Sequence, residues 1–157
     1  MPNDGGTVAV IEQFIADTLA ALTYNNVAVF KTAEVWRFQI GAGEGGIEAF
    51  KRYEPFAFVK YQPPTGDREG DYDLRQVLRF AVVIGVESRS AGAARTGDSN
   101  NLGTSKIRDL VIDALDGQHP GESTNCDPIY YRGELEAFDS PTRHAIEMYF
   151  EANMITI

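Results

Sequence analysis

The longest apolar stretch of the chain, Leu74 to Val86, sets Leu74, Leu78, Phe80, Val82, Ile84 and Val86 on even positions and the polar Arg75 and Arg79 on odd ones. Side chains alternate between the two faces of an extended chain, so the pattern predicts a strand with one face committed to a core. Its length makes it the expected central strand of a sheet. A second alternation lies near the end of the chain, where Ile146, Met148, Phe150, Ala152 and Met154 interleave with Glu147, Tyr149, Glu151 and Asn153. This predicts a last strand over Arg143 to Ile157 with one apolar and one wet face. Ile129 to Phe138 reads as a further strand, joined to it through the turn-prone Asp139-Ser140-Pro141.

Helical spacing occurs twice. Val8, Ile11, Ile15, Leu19 and Leu22 recur every three or four residues and predict a helix over Thr7 to Leu22, with Thr7 as N-cap and Asn25-Asn26 as turn residues beyond it. Thr104 or Ser105 caps a second helix that buries Ile107, Leu110, Val111, Ala114 and Leu115 and stops at Gly117. Val27 to Lys31 and Glu34 to Ile40, separated by a turn at Thr32-Ala33, read as a pair of antiparallel strands. Phe56 to Gln62 is another strand, with Phe56 and Phe58 on one side, Val59 and Tyr61 on the other, and Pro63-Pro64 ending it. Gly41 to Gly46 is a loop, and Ile47 to Tyr53 forms two helical turns before Pro55. Arg89 to Gly103 holds one large apolar residue, Leu102, and is expected to be a mobile loop whose Ala91 to Asn101 can be deleted without unfolding the chain. His119 to Asp127 is another loop. The order predicts an α+β fold, a mainly antiparallel sheet with two main helices packed on one face, and a single domain from Met1 to Ile157.

Composition narrows the function. The 157 residues, 43% of them hydrophobic, suffice for a core without bridges or metals. Acidic residues number 23 against 14 basic ones, and the net charge of -9 argues against general binding to nucleic acid or anionic lipid. The sequence shows neither a run of about 20 apolar residues nor a basic start followed by an apolar signal core, so a soluble, intracellularly made protein without membrane contact is expected. The single Cys126 cannot form an internal disulfide.

Chemical motifs are weak. Gly41, Gly43 and Gly46 satisfy G-x-G-x-x-G, but only Ile47 to Glu54 separate them from Pro55, too little for a crossover helix and a parallel return strand. Thr104-Ser105-Lys106 runs in the wrong order for a phosphate-binding loop. The histidines, His119 and His144, have no second His or Cys at ligand spacing, so no metal and no cofactor is expected. Cys126 and His144 are the one conceivable nucleophile and base, against the plainer reading of a loop thiol and a surface imidazole. Glu134 with Glu136, and Glu147 with Glu151, share strand faces as an acid/base pair requires, but solvated strand faces explain them better.

Charge is patterned more clearly. Asp67, Glu69, Asp71 and Asp73 outweigh Arg68 between Pro64 and Asp73, whereas Arg89, Arg95, Lys106 and Arg108 outweigh Asp98 between Arg89 and Arg108. One subunit's acidic segment could meet a neighbour's basic segment in a head-to-tail contact that closes into a ring, with Asp67, Asp71, Arg89 and Arg95 as its representatives. Two independent solvated loops are the alternative.

The layout resembles the tail terminator or tail-completion proteins of long-tailed phages, particularly the Mu-like prophage branch. The resemblance rests on the N-terminal amphipathic helix, Tyr53-Glu54-Pro55-Phe56-Ala57-Phe58-Val59, the strand Leu78 to Val86 and the loop after it. It continues through the helix ending Ala114-Leu115-Asp116-Gly117 and the strand containing Ala145-Ile146-Glu147-Met148-Tyr149-Phe150-Glu151. It implies a non-enzymatic virion protein of the tail or neck, assembled in the host cytoplasm as a hexameric ring. Such a ring ends tail elongation and forms the head-tail joint. Its partners would be copies of itself, the tail tube protein and a head-tail connector or sheath protein, with DNA passing through the lumen without specific binding. Another neck or tail adaptor, or a small enzyme, is the alternative.

Overall fold

In the computed structural model, which describes residues 6–36, 55–63, 75–88, 92–98, 102–121, 126–140 and 142–155, the two alternating stretches lie side by side. The elements in chain order are α1 (Gly6–Ala20), β1 (Thr23–Tyr24), β2 (Val27–Ala28), β3 (Thr32–Val35), β4 (Phe56–Gln62) and β5 (Arg75–Glu87). They continue with α2 (Ala93–Thr96), α3 (Thr104–Leu115), β6 (Tyr130–Asp139) and β7 (Arg143–Ile155). β5 and β7 pair antiparallel along their whole length, from Arg75 opposite Ile155 to Glu87 opposite Arg143. The five-stranded sheet runs β3-β4-β5-β7-β6, so β5 is central as its pattern predicts. The fold is α+β, and of the sheet's pairings only β3 with β4 is parallel.

Register decides what each face carries. Leu78, Phe80, Val82, Ile84 and Val86 of β5 share the helix-side face with Ile146, Met148, Phe150 and Ala152 of β7 and with Ala57 and Val59 of β4. Ile11, Ile15 and Leu19 of α1 and Ile107, Val111 and Leu115 of α3 cover them, each nearly inaccessible to water. A row of rings crosses four strands: Tyr61 packs on Phe80, Phe80 lies directly opposite Phe150, and Phe150 meets Tyr131 edge-on. Such cross-strand aromatic pairs add about 0.2–1 kcal/mol each beyond simple burial.

Several expectations are corrected. Thr7 lies inside the first turn of α1 and does not cap it. Asn25 and Asn26 have φ of 52° and 64°, the left-handed pair that a two-residue hairpin needs, and they fold Tyr24 directly onto Val27. That hairpin uses up Val27 and Ala28, after which Val29 and Phe30 turn into the core. The antiparallel pair expected over 27–40 is therefore absent among the described residues. Thr32-Ala33, expected as a turn, opens β3, which pairs with β4. Where β3 ends, the Tyr61 amide is taken up by the Glu12 carboxylate of α1 at 3.1 Å.

The second face of the sheet is not uniformly wet. Trp36, Phe56, Phe58 and Val83 form their own apolar cluster on it, with the Trp36 and Phe58 rings 5.1 Å apart and edge-on. Gly85 makes room for this cluster, because a Cβ there would stand 2.2 Å from the Phe56 ring. Nor is 89–103 a loop throughout. Ala93–Thr96 forms the short α2 with Ala93 and Ala94 buried, so removing 91–101 takes out part of the core. The Gly41–Gly46 loop and the helical turns at Ile47–Tyr53 lie outside the described residues.

Burial raises the Glu12 carboxyl above its ordinary value of 4.5, opposed by the hydrogen bond from Tyr61. The folded state then holds this proton more tightly than the unfolded chain does. The group's contribution is complete below 4.5 and is lost as pH rises through the folded value. Glu12→Gln retains an acceptor for Tyr61 and carries no charge to desolvate. In urea unfolding it should match the natural chain near about pH 4 and exceed it near about pH 7, and a lower midpoint at the higher pH would refute the assignment.

Candidate functional site

The polar groups that come closest to a site gather where the β6–β7 hairpin passes beneath α2 and the start of α3. Simple alternation would put Glu136 and Asp139, three residues apart, on opposite faces of β6. A bulge between Glu136 and Phe138 restores them to one face, with Glu136 opposite Ile146 and Asp139 opposite His144. Both carboxylates therefore stand on the helix side, next to His144. Ser140 closes the hairpin, its amide donating to the Arg143 carbonyl at 2.8 Å and its Oγ accepting from the Arg143 amide at 3.0 Å.

Arg95 comes from above. α2 is bounded by Gly92 and Gly97, with φ of 78° and 83°, and its buried Ala93 and Ala94 fix it to the core. Gly103, the residue before α3, presses on α2 so closely that a Cβ would lie 2.4 Å from the Arg95 carbonyl oxygen. From this perch the Arg95 Nη2 reaches Glu136 Oε2 at 3.0 Å and Asp139 Oδ2 at 2.9 Å, with all three side chains about half exposed. A cavity of ≈ 560 Å³ opens here, its lining including Gly92, Arg95, Thr96, Asp139, Ser140 and His144.

His144 is the buried member, with 7% of its side chain exposed. Its Nδ1 shares a hydrogen bond with the Thr104 hydroxyl, and its Nε2 lies 3.0 Å from Glu136 Oε2. Hydroxyl, imidazole and carboxylate in series have the connectivity of a nucleophilic triad. The Thr104 side chain, however, belongs to a residue 1% exposed, so no substrate can reach that oxygen. The series is a tie between α3 and the hairpin. Thr104, expected as a cap, is the first helical residue, while Gly103 occupies the cap position without a side-chain bond.

The other expected pairs do not converge. Cys126 is buried and bridges Met154, whereas His144 stands at the start of β7. Ten residues of strand separate those ends, about 33 Å at the usual rise, so they cannot act as nucleophile and base. His119 is in the segment after α3, where its Nδ1 accepts from the Gly121 amide. Glu134 pairs with Arg108 and accepts from the Tyr131 hydroxyl at 2.7 Å. That carboxylate holds the Arg108 proton more firmly than usual, while burial first and Glu134 second push the Tyr131 hydroxyl up. On the opposite face Glu151 takes Arg79 and Arg132, and Glu147 accepts from Gln62. Burial, with Glu147 nearby, raises the Tyr149 hydroxyl.

The basic segment is thus engaged with its own chain: Arg95 with Glu136 and Asp139, Arg108 with Glu134, and Lys106 over the Tyr24 ring at 5.2 Å. Asp67, Asp71 and Arg89 lie outside the described residues. No described helix is long and apolar enough to cross a membrane. Compared with models of known protein families and with curated proteins, the chain matches none.

Burial separates the two halves of this cluster energetically. Arg95→Ala should cost about 0.2–1 kcal/mol, the range of exposed ion pairs. His144→Ala should cost more, about 1–3 kcal/mol for the stranded Thr104 hydroxyl and added packing loss. Urea unfolding checks both, and equal costs would remove the tie assigned to His144.

Proposed function

We propose that this chain is a structural virion protein that caps a phage tail tube as a ring, ends tail elongation and forms the head-tail joint. The observation that carries the reading is the far face of the sheet. Register places Val77, Tyr130 and Leu135 opposite Asn153, Glu151 and Glu147, on the side away from the helices. They are 50%, 42% and 62% exposed, large apolar side chains spread across β5 and β6 beside the Arg79–Glu151–Arg132 ion pairs. β6 is also an edge of the sheet among the described strands. An apolar surface threaded with satisfied charges suits a lasting contact with another protein. By contrast, Arg79, Arg95, Arg108 and Arg132 are paired with carboxylates of their own chain, and the Thr104 hydroxyl beside His144 is buried.

Two further features agree. The net charge of -9 suits a ring through which DNA passes without sticking. The described order of helix, strands, helix and closing strand pair is compatible with the layout on which the resemblance to tail terminators rests, apart from α2 within the segment expected to be a loop. In this proposal the ring is a hexamer of the chain, its partners are the tail tube protein and a connector or sheath protein, and its place is the tail or neck of the virion.

Light scattering of the purified chain tests it. A closed hexamer has a mass of about 104 kDa, six times the chain mass of 17.3 kDa. Leu135→Asp should shift the mass toward that of one chain while circular dichroism stays unchanged, since an exposed substitution moves stability by only about 0.5 kcal/mol. A single-chain mass at every concentration, together with failure to join purified tail tubes, would refute the proposal.

A further inference from the structure

We infer that Glu136, Asp139 and His144 form a site for one divalent transition-metal ion, zinc foremost, and that the Arg95 guanidinium is the ion's built-in competitor. The inference does not depend on the reading of the chain as a tail protein.

Geometry supplies the first argument. One ligand atom from each of the three residues lies within 4.8 Å of the other two. One imidazole nitrogen and two carboxylate oxygens are a donor set that zinc accepts, and the cavity at this point leaves the remaining positions open to water. The second argument is His144 itself, 7% exposed and directed at Glu136 from inside the protein. A metal-bound imidazole needs an outer partner on its other nitrogen, and Thr104 from α3 already holds Nδ1. A hydroxyl both donates and accepts, so the ring can carry its proton on Nδ1 and present the Nε2 lone pair without losing that partner.

The third argument is that a cation already stands there. Arg95 Nη2 lies between the two carboxylates at 2.9 and 3.0 Å, where it neutralises charge that would otherwise repel. An incoming ion would take over this role and release the guanidinium to solvent. Little opposes that exchange, because the Arg95 side chain is 51% exposed. Coordination by two carboxylates leaves a dication formally neutral.

Titration calorimetry of the full chain with zinc chloride, in a buffer that does not chelate, tests the site. One zinc ion per chain should bind, and the His144 ring nitrogens should shift in NMR spectra. Arg95→Ala should bind about tenfold more tightly, the order expected from removing a charge-assisted competitor. Thr104→Val should bind about 10- to 100-fold more weakly. Asp139→Asn and Glu136→Gln alter half-exposed side chains, keep the fold by circular dichroism, and should abolish binding. Magnesium, which prefers oxygen ligands, should not displace the zinc. Absence of zinc binding to both the natural chain and Arg95→Ala would overturn the site. So would binding that survives both carboxylate substitutions, which would place the ion elsewhere. Weaker binding by Arg95→Ala would overturn the competitor role.

Discussion

Everything described in this fold hangs on the antiparallel ladder between β5 and β7. Its register sets Phe80 against Phe150 and Val82 against Met148, so one continuous apolar surface spans the two strands. A slip of one residue would exchange Phe80 for Arg79 on that surface and strip both helices of their support. The same register places Val86 opposite His144, which brings the imidazole to the end of the ladder where α2 and α3 meet. At the other end Met154 bridges Cys126. The ladder therefore holds the thiol and the imidazole apart as firmly as it holds the core together.

What could be read from the sequence was what repeats locally. The even-odd pattern of Leu78 to Val86 and of Ile146 to Ala152 identified the strands and their inward residues, and the spacing of Ile107, Val111 and Leu115 identified α3 with its buried face. The pairing of β3 escaped because four residues, Thr32–Val35, carry too little pattern to announce a parallel partner at Phe56–Val59. The second apolar face escaped for a related reason. Trp36, Phe58 and Val83 come from three strands and form a cluster only after the strands are aligned. α2 escaped because alanines bury little area, and its position depends on the close approach that Gly103 permits.

The polar cluster was still less visible. Arg95 was singled out, but as a group reaching toward another subunit; its carboxylate partners are 41 and 44 residues away in the same chain. Thr104 and His144 are 40 residues apart, and Glu136 shares a face with Asp139 only because of the bulge. A search for ligand spacing looks for regular intervals on one element. This cluster is assembled from β6, β7, α2 and α3, and a bulge has no local sequence signature here.

Satisfying Arg95 and Arg108 on β6 also changes how the proposed ring would hold together. Had these cations faced outward, the contact between subunits would be largely ionic and would fade as salt screens it, over about 10 Å at 0.1 M. With them paired internally, a described surface open to a neighbour is the far face of the sheet, where Val77, Tyr130 and Leu135 are apolar and Arg79 and Arg132 share Glu151. Contacts of that kind draw on area removed from water, about 25 cal/mol per Å², and are little weakened by salt. Charge on such a face selects the partner and its orientation, while the apolar side chains supply the affinity. In the proposed ring, a net charge of -9 would oppose indiscriminate association while a sparse apolar surface supplies the specific contact.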